Sequence, residues 1–194
     1  ANSSYIDVTP GGKDSGYMNV NATRTGYYLA KFMNTVADFL KPLEEQDSRH
    51  YNPMLRKAEV WLNFAEASNE AFGPKVVGPG CTKSAYDVIK TIREKSGGIT
   101  DVTYLDEMAA SKETFRTLIQ NERRIEFAFE NQRFWDLRRW LLPLNEPIYG
   151  MKVTRDSSGD DEFEVVKVED RPLNDVRYYY MPLPYLEVQK NPNL

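Results

Sequence analysis

The sequence predicts a mainly α-helical chain, with helices paired across long loops and a few short strands toward its C-terminal end. Three observations predict this class. Apolar residues recur at helical spacing in MLRKAEVWLNFAEASNEAF (54–72), across 82–95, and from Ser111 onward. Glycine and proline fall between these stretches, at Gly73-Pro74, Gly97-Gly98 and Pro143, where they end helices. The extended runs KVTRD, VVKVE and YYYMPLP are short and all lie beyond residue 150.

Residues 1–26 are rich in Gly, Ser, Asn and Thr and read as loop. The half-apolar YYLAKFMNTVADFL (27–40) reads as a strand followed by a short helix, before Pro42 and the polar EEQDSRH break the chain. The helix from Met54 to Phe72 sets Leu55, Ala58, Leu62, Ala65 and Phe72 on one face, with Trp61 and Phe64 widening it. After the loop GPKVVGPGC comes a helix from Thr82 to Lys95, striped by Ala85, Val88, Ile89 and Ile92. Small residues at Ala65 and Ala85 let these two helices approach closely as an antiparallel pair. Such a pair resembles a tetratricopeptide unit with a long inter-helix loop.

A third helix starts at Ser111, an N-cap residue with Glu113 in the first turn, and runs through Phe115, Leu118, Ile119, Ile125 and Phe129. A fourth, residues 131–141, completes a second pair before Pro143. An acidic turn spans 157–164, and Pro182 and Pro184 restrict the last extended run to an edge or irregular strand.

Composition narrows function. The chain has 194 residues, a net charge of −4, 41% hydrophobic and 28% charged residues. That is an ordinary globular composition without the basic field that nucleic acid attracts. One cysteine, Cys81, permits no internal disulfide, and the lone His50 is not evidently linked to it as a nucleophile–base pair. No apolar run reaches the roughly 18 residues that cross a bilayer. Zinc and di-iron ligand spacings, Walker loops and dinucleotide glycine patterns are absent, and the Asp156–Glu162 acids have the wrong spacing for a calcium loop. No metal or cofactor is therefore expected.

The densest stretch is NERRIEFAFENQRFWDLRRW (121–140). Glu122, Glu126 and Glu130 recur every four residues and stack along one helical face, where like charges repel unless cations answer them. Arg123, Arg124, Arg133, Arg138, Arg139 and Asp136 are interleaved with them. Glycosidase carboxylates face each other across a cleft from separate elements, so this pattern reads as a structural ion-pair network instead of a catalytic pair. Aromatic residues Phe127, Trp135 and Trp140 are expected to cover it, with Glu126 and Arg133 mostly buried and paired.

This stretch resembles the C-terminal signature of the SusD/RagB family, an ERR-x-E pattern followed by E-x-x-R-(F/W)-x-D and R-W. The helix RKAEVWLNFAEASNE resembles the family's AE-x-x-L-x-x-AEA-x-NE helix, and TGYYLAKF the segment before it. The ending, through Pro182, Pro184, Glu187, Asn191, Pro192 and Leu194, resembles its closing P-x-P and NP-x-L. The resemblance runs from about Thr25 to the last residue. It implies a tetratricopeptide-like helical fold in which residues 1–194 form the C-terminal part of a single, longer domain. The N-terminal repeats and lipoprotein signal are not within this chain, and Cys81 is not the lipid-bearing cysteine.

The resemblance further implies a non-enzymatic, cell-surface lipoprotein of the outer membrane in Bacteroidetes-type bacteria. Such a protein captures oligosaccharide or polysaccharide for a TonB-dependent, SusC-like transporter, with no catalytic residue and no nucleic-acid partner. Its membrane contact is a lipid anchor outside this chain. Within the N-terminal loop, Tyr5, Tyr17, Asn19, Asn21 and Arg24 are the candidate glycan-binding residues, rings for sugar faces and polar groups for hydroxyls. The alternative is a helical-repeat scaffold that docks a partner protein, through 144–180, without a small-molecule ligand.

Overall fold

The computed structural model describes residues 6–16, 21–32, 53–191 and 193. The chain divides into two compact units, one formed by 34–136 and the other by 1–33 together with 137–194.

The first unit is helical. Helix α1 (Lys57–Phe72) ends at Gly73, whose φ of 84° lets its N–H return to the Asn69 carbonyl. Helix α2 (Ala85–Gly97) begins with a reciprocal cap: the Ser84 hydroxyl accepts from the Asp87 N–H and the Asp87 carboxylate accepts from the Ser84 N–H. A short α3 (Thr103–Met108) buries Leu105, and α4 (Lys112–Glu126) is capped by Ser111. Helix α1 packs against both α2 and α4. Leu62, Ala65, Ala85, Ile89, Phe115 and Ile119 form the center of the core, each at most 1% exposed. Tyr86 stacks on Phe115 with ring centroids 6.4 Å apart.

Three sequence expectations are corrected here. Leu55 is 68% exposed because α1 starts only at Lys57, and Phe72, on its last turn, is 44% exposed. The third helix does not continue to Phe129. Helix α4 stops at Glu126 with Phe127 as its C-cap, and beyond it Phe129 and Asn131 take left-handed backbone angles (φ 65° and 62°) that no helix continues through; Ile125 and Phe129 are exposed. Helix α5 (Gln132–Arg139) follows and carries the chain out of this unit.

The second unit is built on an antiparallel hairpin of β1 (Ile148–Arg155) and β2 (Asp161–Glu169), in the register Met151↔Val165, Val153↔Phe163 and Arg155↔Asp161. In the turn, the Asp156 carboxylate accepts from the Ser158 and Asp160 N–H groups, and Gly159 takes a φ of 90°. A segment of the N-terminal loop lies along β1, where the Met151 N–H donates to the Thr25 carbonyl at 2.8 Å. Gly26 and Gly150 permit that approach. A Cβ on Gly26 would stand 2.2 Å from the Met151 carbonyl oxygen, and one on Gly150 2.7 Å from that of Thr25.

The final tyrosine run is not a strand. Val176–Tyr179 forms a 3₁₀ turn, and Tyr179 donates its hydroxyl to the Leu142 carbonyl. A helix α6 (Tyr185–Lys190) follows Pro184, which suits a helix start because it has no N–H to leave unpaired. Residues 27–32 adopt neither strand nor helix, and 33–40 lie outside the described residues.

Candidate functional site

The N-terminal loop folds on itself through Asp7. Its carboxylate accepts from the Thr9 N–H (3.1 Å) and the Thr9 hydroxyl (2.6 Å), while its own N–H donates to the Asp14 carboxylate at 2.9 Å. These bonds favor the charged form, and the Thr9 hydroxyl beside it holds the Asp7 carboxyl below the usual carboxylate range. The loop is thus fixed by local polar bonds, with the Tyr28 hydroxyl clamping the Asp14 carbonyl at 2.6 Å.

Between this loop and the hairpin lies a cleft of about 380 Å³. Its walls are aliphatic, with Val8, Met151, Val153, Val166 and Val168, and Asp14, Arg24, Lys152 and Lys167 add polar groups. A second lobe of about 680 Å³ adjoins it, lined by Asp7, Thr9, Lys13, Arg155, Asp161 and Phe163. Val8 and Val153 line both lobes. Both volumes fall in the range of small-ligand sites.

Of the residues proposed from sequence, Arg24 borders this cleft, and its Nη1 pairs with Glu169 at 3.2 Å. Asn21 is exposed on the same loop and does not line the cleft. Tyr5, Tyr17 and Asn19 lie outside the described residues. Sequence reasoning missed the hairpin wall and Phe163, whose ring is 68% exposed. The alternation of VVKVE with acids was the available signal.

The signature residues belong to different chemistry. Arg123 Nε bonds Asp136 Oδ2 at 3.0 Å, with both side chains 3% exposed, and Arg123 Nη1 donates to Asn63 Oδ1 at 2.7 Å. Glu122 pairs with Arg93 of α2. Arg56, at the N-cap of α1, reaches Glu130 through Nε and Nη2 (both 2.8 Å) and Glu126 through Nη1 (2.9 Å). The Glu130 carboxylate beside it raises the Arg56 pKa further. Phe127 is buried, with the Arg56 and Arg123 guanidiniums 5.5 and 5.2 Å from its ring center.

Arg56, Arg93 and Asn63 lie outside the signature, so part of its charge is answered from other helices. Glu126 and Arg133 are half-buried, whereas Arg124 and Arg139 are exposed. The expected aromatic cover is corrected at Trp135, which is 53% exposed beside Phe134, itself exposed. Trp140 is half-buried under the Arg139 guanidinium, 4.1 Å from its ring center.

Among the described residues, no group of three or more His, Cys, Asp or Glu side chains is arranged to hold a metal ion, and no helix is long and apolar enough to cross a membrane. His50 lies outside the described residues and Cys81 is half-buried in the loop between α1 and α2.

Comparison with known proteins gives a consistent picture. The chain matches the SusD family over residues 2–194. It is similar to two SusD-like proteins of Formosa agariphila, 29% identical over 86% of this chain and 30% identical over 77%. It spans about a quarter of their lengths, 27% and 25%. A crystal structure of a SusD-like protein from Bacteroides fragilis resembles it with a TM-score of 0.53 at 36% identity, covering 71% of this chain and 24% of that one.

Proposed function

The chain belongs to the SusD family, and from that premise we propose that it is the C-terminal part of a surface lipoprotein that binds glycan. The whole protein captures oligosaccharide and delivers it to a TonB-dependent, SusC-like transporter in the outer membrane. It is held at the cell surface by a lipid anchor. The observation that carries this reading is the two-lobed cleft against the β1–β2 hairpin, within a chain that matches the family along its length. Aliphatic walls and the Phe163 ring suit the apolar faces of sugar rings, and the polar loop side chains suit their hydroxyls.

Capture without turnover fits the electrostatics of the cleft. A glycoside hydrolase needs one carboxyl raised toward neutrality to serve as general acid. Asp7 is shifted the other way by its Thr9 hydrogen bonds. In the signature, Glu122, Glu126 and Glu130 are committed to arginines.

Titration calorimetry of the intact protein against a panel of polysaccharides tests the reading, with reducing-end release followed in parallel. The expected result is binding of one glycan class with no release of sugar. Silence across the panel with retained transporter binding favors the protein-docking scaffold, and release of reducing ends that stops in a Glu126→Gln variant makes the protein an enzyme.

A further inference from the structure

We propose that the ligand of this two-lobed cleft is an uncharged, elongated oligosaccharide and not an anionic one, an inference that rests on the glycan-binding reading above. Four of the five cations at its walls are paired by the protein itself, and the fifth, Lys13, shares the larger lobe with the Asp7 carboxylate, on whose charge it acts. Arg24 meets Glu169 at 3.2 Å, Lys167 meets Asp170 at 3.0 Å, Lys152 meets Glu164 at 3.5 Å and Arg155 meets Asp161 at 2.8 Å. Each separation is well inside the Debye length of about 8–10 Å near physiological salt, so a ligand meets pairs of opposite charge and not a positive field. Sites for sulfate or uronate groups present the opposite arrangement, with arginine forks or backbone N–H groups aimed at the anion and no carboxylate in competition.

The acids of the cleft point the same way. Asp7 lines the larger lobe, and its Thr9 hydrogen bonds favor its charged form. A ligand carboxylate or sulfate there would face a like charge and would also have to separate Arg155 from Asp161. A neutral pyranose meets neither cost. Its C–H face can lie on the exposed Phe163 ring in one lobe and on Val166 and Val168 in the other. Because Val8 and Val153 line both lobes, a ligand filling both passes these two side chains and needs more than one ring.

The test uses the intact protein with length-matched neutral (glucan, mannan, xylan) and uronic-acid oligosaccharides, titrated at about 20 mM and about 500 mM NaCl. A neutral oligosaccharide should bind, with its Kd changing less than about twofold between the two salts. Phe163→Ala and Val166→Asp should each weaken that binding about tenfold or more. The Glu169→Gln/Asp170→Asn variant leaves Arg24 and Lys167 uncompensated, and should gain about fivefold in affinity for the uronic oligosaccharide at low salt. Salt-sensitive binding of the uronic oligosaccharide by the unsubstituted protein overturns this inference and leaves the glycan-binding reading standing. Neutral binding indifferent to Phe163→Ala and Val166→Asp locates the ligand elsewhere and also overturns it. Binding of no oligosaccharide overturns both.

Discussion

Arg123 and Asp136 meet at 3.0 Å with 3% of each side chain exposed, whereas Arg24 and Glu169 meet at 3.2 Å with 71% and 53% exposed. The distances are nearly equal, but the physics differs. In the helical unit the charges have left water, so each depends on its partner and on Asn63 to offset desolvation. In the loop–hairpin unit the charges keep their hydration, and their pairing shapes the field over the cleft without fastening the fold. Buried pairs here fix geometry, and exposed pairs tune what can approach.

Removing one partner from each pair breaks or sharpens this contrast. The largest effect is expected for Asp136→Ala, which removes the carboxylate opposite the Arg123 guanidinium in a buried site and should cost about 3–5 kcal/mol. Denaturant unfolding followed by circular dichroism would measure it as a fall in midpoint at unchanged slope. A loss under about 1 kcal/mol would mean the buried pair behaves like a surface one.

Legibility in the sequence followed the same divide. The helices of the first unit were readable because local rules agree there: Ser111 caps, Gly73 and Gly98 stop, and Leu62, Ala65, Val88, Ile89, Phe115 and Ile119 recur at helical spacing. The break at Phe129 and Asn131 was not, because neither is glycine, the residue whose presence signals left-handed angles in a sequence. Arg56 was hidden for another reason. It lies 70 residues from Glu126 in the chain, and no local period encodes that distance. In the second unit, the short extended runs and the acidic turn were visible. The cleft they enclose depends on how the loop lies along β1, through Gly26 and Gly150, which sequence pattern does not specify.

An intermediate effect is expected at the start of α2. Ser84→Ala removes the cap of the Asp87 N–H and should cost about 1 kcal/mol. Its pH dependence follows from Asp87, whose carboxyl is held below the usual range, first by the Ser84 N–H and then by the Ser84 hydroxyl. A depressed carboxyl contributes stability above its unfolded pKa and loses it as acid protonates the folded form. The gap between Ser84→Ala and the parent protein should therefore be full at neutral pH and narrow below about pH 4, measured as midpoints across a pH series. A constant gap would assign the effect to the hydroxyl's acceptance of the Asp87 N–H and not to its bond to the Asp87 carboxylate.

The smallest effect is expected where the contrast began. Arg24→Met removes a cation that is 71% exposed and whose partner Glu169 is 53% exposed, so hydration already replaces most of what the pair supplies. Unfolding stability should change by less than about 0.5 kcal/mol, within the range of ordinary surface substitutions. The methionine keeps an unbranched apolar stem along the rim, so packing losses do not mask the charge effect. What should change is the field: Glu169 is left uncompensated beside the cleft, and the site becomes more hostile to anions. A destabilization approaching that of Asp136→Ala would show that this pair fastens the loop to the hairpin. The two regions would then share one design.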